Sequence, residues 1–170
     1  MSGKLISIFL CLVTLAVGGG VYYAQVYGFY YDVAEDEVRM TNLVTEEPEP
    51  ILIEAFQAID ADSSPIRYRA CFTTPTSLAT LTETYEIFDE AEPLTAPGWF
   101  DCFDARALGD MIREGTAIAF TGTRNLEYGI DRVVAVTADG RGFVWHQVNE
   151  CGDKLYDGTP AGDDCPERTQ

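Results

Sequence analysis

The chain has 170 residues and a formal net charge of −17, from 28 Asp and Glu against 11 Lys and Arg. This length suits one folded domain with an appendage, and a hydrophobic content of 46% is enough to build a core. The acidic balance excludes nucleic acid as a partner, because a polyanion is bound through a basic patch that displaces its counterions.

The first predicted element is a transmembrane helix. No charged residue occurs from Leu5 to Val26, a run of 22 residues. As a helix this run extends about 33 Å, which spans a hydrocarbon core about 30 Å thick. Lys4 precedes the run and acidic residues follow it, so the positive-inside rule predicts a cytoplasmic N-terminus. Aromatic residues at the outer end favour the headgroup layer: Tyr22, Tyr23, Tyr27, Phe29, Tyr30 and Tyr31.

A cleaved signal peptide is the alternative interpretation of this segment. Its apolar stretch would run from Leu5 to Ala16, with the glycines at 18–20 as the cleavage site. Two observations disfavour it, because the residues before the stretch are almost uncharged and apolar residues continue well beyond the glycines. A lipoprotein is also disfavoured, because Cys11 follows large apolar residues rather than the small ones of a lipobox.

The predicted span carries a stripe of small side chains. At 100° per residue they fall within an arc of about 80°. Small residues let helix backbones approach closely, and close packing and interhelical hydrogen bonds hold helices together in lipid. We therefore expect a face that docks on an integral membrane protein or on another copy of the chain, although a chance stripe is the alternative. The stripe consists of Gly3, Ser7, Cys11, Thr14 and Gly18.

Four cysteines follow the predicted span. The predicted topology places them in an oxidising compartment, where disulfides form. Three connectivities are open, and we predict Cys71 with Cys102 and Cys151 with Cys165 because each partner is the nearest in sequence. Each bond should stabilise the domain by roughly 3 kcal/mol in the chain-entropy picture. Redox or metal chemistry is disfavoured, because no CxxC motif occurs and His146 is the one histidine.

The region that follows the span, here called the outer region, begins with an acidic segment and continues with more apolar residues. Residues 32–50 include a Glu-Glu-Pro-Glu-Pro run at 46–50, which predicts a tether or an irregular strand leading into the domain. Ile51 to Ala61 fits either a short helix or a buried strand. Three further elements are predicted in this part: a strand at 66–72, a short helix at 76–83 and a strand at 85–88.

The second part of the outer region has clearer signals. Asp104 is placed to cap a helix over 105–114, which Gly115 would end, and a strand starts at Ala117. Apolar runs at 133–137 and 143–148 flank Asp-Gly and predict a hairpin. The predicted fold class is therefore α+β: one N-terminal transmembrane helix, then a small disulfide-stapled domain with an antiparallel sheet and one or two helices. The predicted segments are an anchor at 1–31, the tether at 32–50, the domain at 51–151 and a cysteine-pinned tail at 152–170.

Candidate chemistry is sparse. His146 and two tryptophans, Trp99 and Trp145, mark a candidate ligand pocket, but base catalysis by His146 would need an orienting partner that the sequence does not display. An acidic cluster in the tail could hold calcium, yet its spacing matches no known loop, so solvation is the preferred interpretation. That cluster is Glu150, Asp153, Asp157, Asp163 and Asp164. No catalytic residue, metal ligand or cofactor is predicted.

The motifs also carry a resemblance. A span followed by Arg-Ala-Cys-Phe at 69–72, Gly-Trp-Phe-Asp-Cys at 98–102 and Gly-Arg-Gly-Phe-Val-Trp-His at 140–146 resembles a group of uncharacterised single-span proteins of alphaproteobacteria. The resemblance implies a bacterial inner-membrane protein with a periplasmic domain, and it transfers no activity.

Three classes of function follow from these features. We expect a non-enzymatic accessory or assembly subunit of an inner-membrane complex, for example a respiratory one. Outside the span, 10 basic and 28 acidic residues leave a charge of −18, so a basic protein face is the expected contact for the outer domain. A membrane-tethered periplasmic ligand-binding or sensory module is the alternative. A hydrolase of unfamiliar design is the third class and would need polar groups that converge around His146.

Overall fold

The computed structural model of the chain describes residues 3–34, 37–162 and 165–166. The chain divides into two compact units, Met1–Tyr30 and Tyr31–Gln170.

The first unit is a single apolar helix. α1 runs over Gly3–Tyr23, and a π-helical turn, Ala24–Gly28, continues it. None of the α1 residues is buried within the chain. From Gly3 to Gly28 the helix is long and apolar enough to cross a membrane. The predicted N-terminal apolar helix is therefore present.

The second unit is built on antiparallel sheets. Its strands are β1 (Tyr31–Asp32), β2 (Arg39–Thr41), β3 (Pro48–Pro50), β4 (Glu54–Asp60), β5 (Arg69–Thr73), β6 (Ala117–Glu127), β7 (Ile130–Thr137) and β8 (Arg141–Val148). Six of them form one sheet in the order β1-β4-β5-β8-β7-β6, and β2 pairs with β3 separately. Two helices, α2 (Leu78–Thr84) and α3 (Ala105–Arg113), lie between β5 and β6 in sequence. This arrangement confirms the predicted α+β class.

The predicted hairpin lies in the interior of the six-stranded sheet. β7 pairs with β8 in a register that places Val134 opposite Val144. Gly140 ends the turn at a φ of +82°, in the left-handed region that favours glycine. A Cβ at this position would lie 2.7 Å from the carbonyl oxygen of Thr74, so the turn also needs the absence of a side chain. Sequence-local turn chemistry thus sets the register of the β7–β8 pair.

Along β8 the odd-numbered and the even-numbered side chains point to opposite faces of the sheet, and both sets include buried residues. Both faces of the sheet are therefore covered. One face carries the largest apolar cluster, in which Tyr68, Phe72, Leu81, Phe120 and Val144 are buried. The opposite face carries Phe143 and Trp145, whose rings meet the Phe103 ring edge-on at centroid distances of 6.0 and 6.4 Å.

Both predicted disulfides are present. Cys71 is bonded to Cys102, with a Cα–Cα distance of 6.3 Å. Cys151 is bonded to Cys165, with a Cα–Cα distance of 5.5 Å. Cys11, on α1, is a free thiol. The first bond attaches β5 to the segment before α3, and the second closes the loop that follows β8.

Segment 32–50 was predicted to be a tether or an irregular strand leading into the domain, and its described residues favour the strand. It contains β2 and β3, and the side chains of Val38 and Met40 are buried in the core. Val38 and Met40 lie on either side of the exposed Arg39 and point inward, and the acidic residues elsewhere in the segment dominate its average composition, which concealed this pattern. The described residues of this segment are therefore part of the folded domain.

The remaining predicted elements have mixed outcomes. Residues 51–61, which fitted either a helix or a strand, contain β4. The predicted short helix and the capped helix correspond to α2 and α3, and the Asp104 carboxylate accepts hydrogen bonds from the N–H groups of Arg106 and Ala107 at 3.0 and 3.1 Å. Gly115 follows α3 at a φ of +74°, as predicted. Residues 85–88 form isolated bridges rather than a strand, at Tyr85 and Ile87.

Candidate functional site

The predicted pocket around Trp99, Trp145 and His146 is not formed. Trp145 and His146 are neighbours on β8, so their side chains point to opposite faces of the sheet. Trp145 is fully buried against Phe103. Trp99 is 36% exposed and meets Phe100 edge-on. None of the three predicted residues lines the cleft described below.

His146 is part of a buried stack. Its ring lies parallel to the Tyr68 ring at 4.8 Å, and the Arg132 guanidinium lies 4.5 Å from the centre of the same Tyr68 ring. The Nε2 atom of His146 accepts a hydrogen bond from Nε of Arg132 at 3.0 Å, and Nδ1 donates to the carbonyl oxygen of Pro65 at 2.6 Å. Both ring nitrogens are thus engaged, which corresponds to the neutral tautomer with its proton on Nδ1.

The sheet domain has an open cleft of about 1590 Å³ on its surface. One wall is the extended segment 86–94 and another is α3. The rest comes from the ends of β6, β7 and β8 and from the loop closed by the second disulfide. Because these parts of the chain are far apart in sequence, no local sequence pattern marks the cleft.

Asp131 lies at the floor of the cleft and is 2% exposed. Its Oδ1 atom accepts hydrogen bonds from the backbone N–H of Asn125 at 2.7 Å and from Nδ2 of Asn149 at 2.6 Å. Asn125 has a φ of +46°, a left-handed conformation that asparagine adopts more readily than most residues. Asp131 therefore joins the end of β6 to the segment after β8.

The sequence analysis did not select Asp131. The available signal was a charged residue two positions before the apolar run of the predicted hairpin strand, flanked by Ile130 and Arg132. Its burial depends on the extension of β7 to Ile130 and on its pairing opposite Gln147 on β8. The predicted strand was shorter, so Asp131 fell in the preceding loop.

The loop after β8 is fixed to the cleft by close backbone packing. A Cβ on Gly129 would lie 2.4 Å from the Cα of Gly152, and a Cβ on Gly152 would lie 2.5 Å from the carbonyl oxygen of Gly129. The Oδ1 atom of Asn149 also accepts hydrogen bonds from the N–H groups of Cys151 and Gly152 at 3.0 and 3.3 Å. The predicted tail thus begins with an ordered loop that does not depend on its disulfide alone.

The wall formed by segment 86–94 is held by two side chains. Gln147 accepts from the N–H of Glu92 at 2.8 Å and donates to the carbonyl oxygen of Glu90 at 2.7 Å. The buried Arg69 guanidinium donates to the carbonyl oxygens of Leu94 and Thr95 at 2.7 and 3.2 Å. These contacts give the wall a defined shape.

The rim of the cleft is rich in carboxylates. Arg124 and Glu86 form an ion pair at 2.7 Å. The hydrogen bond to Glu86, with the charges of Glu86 and Asp131, raises the pKa of Arg124. Two apolar side chains also line the cleft, Ile87 at 48% and Val148 at 38% exposure. Exposed carboxylates on the rim are Asp89, Glu90, Glu92, Glu150 and Asp153.

The predicted acidic cluster of the tail is only partly described, because Asp163 and Asp164 lie outside the described residues. Asp157 accepts hydrogen bonds from the N–H and the hydroxyl of Thr159 at 3.0 and 2.6 Å, which lower its pKa. Within 3–34, 37–162 and 165–166, no three His, Cys, Asp or Glu side chains are placed to hold a metal ion.

Comparison with known proteins gives one match. A family model described as a family of unknown function (DUF6446) matches residues 38–166. The matched range includes part of the predicted tether and most of the predicted tail, in agreement with the ordered strands and loop found there. No curated protein and no solved structure matches the chain.

Proposed function

We propose that this chain, which belongs to the family of unknown function DUF6446, is an accessory or assembly subunit of a bacterial inner-membrane complex. In this proposal α1 spans the membrane with its N-terminus in the cytoplasm, and the sheet domain docks on a partner in the periplasm. The observation that carries the proposal is the open, carboxylate-rimmed cleft with exposed Ile87 and Val148 on its surface.

The size and chemistry of the cleft favour a protein over a small molecule. Pockets for small ligands are typically about 300–1,000 Å³, enclosed and mostly apolar. This cleft is larger, at about 1590 Å³, and is lined by charged side chains. A polypeptide segment can fill such a groove along its length. His146, the residue best suited to acid–base chemistry, is occupied by Pro65 and Arg132 and supports a structural role instead.

The proposed anchor supports docking through shape rather than through hydrogen-bond donors. The hydroxyl groups of Ser7 and Thr14 donate to the carbonyl oxygens of Gly3 and Leu10 in their own helix, at 3.1 and 2.9 Å. The stripe therefore offers a partner helix a smooth surface that permits close approach. A Cβ added at Gly18 would meet no atom of the chain within 4 Å, so the space beside it is free for a partner.

The test is copurification of the tagged full chain from native membranes in a mild detergent. We expect an integral membrane protein to copurify in a fixed ratio with the wild-type chain and to be lost with Gly18→Leu, which fills the stripe. Gly20→Leu is the matched control, because residue 20 lies on the other side of the helix and also has open space around it. A chain that always migrates alone contradicts the proposal.

The alternative is a periplasmic ligand-binding or sensory module, which the presence of a concave surface also supports. Under this alternative, a small molecule that binds only the folded form raises the melting temperature of the chain. A thermal-shift screen of amines, amino acids and sugars distinguishes the two. A hit that protects the wild-type chain, together with the absence of a copurifying protein, favours the sensory module.

A further inference from the structure

We propose that the cleft binds a cationic, amphipathic segment of a protein partner, with a lysine or arginine side chain of that segment reaching Asp131. This inference rests on the proposed docking function and identifies the site and the chemistry of the contact.

The first observation concerns the unshared oxygen of Asp131. Both hydrogen bonds to this carboxylate, from the Asn125 N–H and from Nδ2 of Asn149, are accepted by Oδ1. Among the described residues, Oδ2 receives no hydrogen bond, and Asp131, which is 2% exposed, lines the cleft. Oδ2 is therefore the oxygen that a donor entering the cleft can reach, and an ammonium or guanidinium group is the donor that binds a carboxylate most strongly.

The second observation is that the nearby arginines are already engaged. Arg124 pairs with Glu86, and Arg113 pairs with Asp110 on the same helix. Arg106 is exposed on the α3 wall and is outnumbered by the rim carboxylates. The cleft therefore keeps a negative potential that attracts a cationic segment and orients it toward Asp131.

The third observation is the pattern along the surface. Ile87 and Val148 are exposed apolar side chains on the same cleft whose rim carries Glu92 and Glu150. A segment that alternates apolar and basic residues can cover Ile87 and Val148 while it pairs with the rim. A free polyamine would satisfy the carboxylates and leave the two apolar side chains exposed to water.

The test measures binding of a short peptide of alternating leucine and lysine to the full chain in an uncharged detergent. Salt is set at about 0.15 M, where the Debye length is about 8 Å and distant charges are screened. We expect the wild-type chain to bind this peptide. We expect it not to bind a control peptide of alternating leucine and glutamate. Asp131→Asn should weaken binding by about tenfold or more, because Oδ2 is replaced by a donor while Oδ1 keeps its two hydrogen bonds.

Glu83→Gln is the matched control, because it removes the same charge from an exposed position on α2 that does not line the cleft. We expect it to change binding by less than about threefold. A second variant, Ile87→Ser, tests the apolar contact without touching the Asp131 network and should also weaken binding. If Asp131→Asn, Ile87→Ser and Glu83→Gln behave alike, the peptide senses only the overall charge and the inference is overturned.

Two further outcomes separate this inference from the proposed function. Spermidine that displaces the peptide and shows the same dependence on Asp131 and Ile87 overturns the protein segment in favour of a small cation. A native partner that copurifies equally with the wild-type and Asp131→Asn chains, when the peptide also fails to distinguish them, overturns the cleft assignment and leaves the docking function standing. Absence of any native partner contradicts the docking function itself.

Discussion

At the residue scale, the domain places charged side chains inside the sheet and holds each of them with hydrogen bonds. Arg69 donates to backbone carbonyl oxygens, Arg132 covers Tyr68 and donates to His146, and Asp131 accepts from two asparagines. Buried polar groups are tolerated only when they are hydrogen-bonded, so each of these side chains determines how its neighbours are arranged. Loss of one partner should therefore cost more than loss of an exposed ion pair.

His146→Phe should destabilise the fold without any effect specific to a ligand. The phenyl ring preserves the stack on Tyr68 but leaves the Pro65 carbonyl oxygen and the Arg132 Nε without their His146 partner. We expect the free energy of unfolding to fall by about 2–4 kcal/mol, since each buried group without a partner costs about 1–3 kcal/mol. Thermal or urea unfolding of the full chain measures this. An unchanged unfolding free energy would show that the two hydrogen bonds contribute nothing.

Asp60→Asn should stabilise the domain at neutral pH. Burial is the main cause that raises the pKa of Asp60 above 3.8, with smaller contributions from Asp62 and Glu127, against the lowering effects of the Ala61 N–H and Arg132. The folded state thus binds a proton more tightly than the unfolded state, so stability falls as pH rises through the raised pKa. Asparagine removes this penalty and retains an acceptor for the Ala61 N–H.

The measurement is the melting temperature of the wild-type and Asp60→Asn chains from about pH 8 to about pH 4. We expect the variant to melt higher at the upper end and the difference to shrink toward the lower end, as the Asp60 carboxylate of the wild-type chain takes up its proton. A difference of the opposite sign at neutral pH would mean that the charge of Asp60 stabilises the fold, through Arg132 for example.

At the scale of elements, the loop after β8 is the clearest case of a segment ordered by tertiary contacts. Its composition is rich in Gly and Asp, which is typical of an irregular tail. It is held by the crossing of Gly129 and Gly152, by the hydrogen bonds of Asn149 and by the Cys151–Cys165 bond. Because the same Asn149 side chain binds Asp131, the order of this loop and the shape of the cleft floor are coupled.

Gly152→Ala should loosen this loop. Its added methyl would lie 2.5 Å from the Gly129 carbonyl oxygen, which forces the two backbones apart. We expect a loss of about 1–3 kcal/mol, typical of overpacking, and faster proteolysis after β8. Gly98→Ala is the control, because a Cβ there meets no atom within 4 Å. Equal protease resistance of the two variants would show that the glycine crossing is not needed.

At the scale of the whole molecule, the chain combines an apolar helical unit with an acidic, disulfide-bonded sheet domain. Disulfides persist in oxidising compartments, so the two bonds support the proposed periplasmic location of the domain. The disulfides also reduce the conformational entropy of the unfolded chain, which stabilises the folded domain. This stabilisation counteracts the repulsion among the many negative charges of the domain.

Thiol labelling checks the disulfides and the compartment together. The chain has five cysteines, of which Cys11 is the free thiol. We expect protein from intact cells, acid-quenched and denatured without reductant, to take up one maleimide per chain and to take up five after reduction. Uptake of five before reduction would mean that the domain lies in a reducing compartment, and the proposed topology would then be wrong.

The sequence by itself determined the elements whose signals are local. The uninterrupted apolar run specified α1, Asp104 and Gly115 marked the ends of α3, Asp-Gly marked the β7–β8 turn, and proximity in sequence was enough to pair the cysteines. In each case the cause lies within a few residues or in the short loop that a covalent bond closes, so no knowledge of the rest of the fold is needed.

Only the tertiary structure decided which polar residues are buried and which surfaces are concave. Val38 and Met40 are core residues in an acidic segment, Trp145 and His146 are divided between the two faces of β8, and Asp131 becomes the floor of a cleft. Each outcome depends on contacts between segments far apart in sequence, because burial is set by what covers a side chain rather than by the side chain and its neighbours alone.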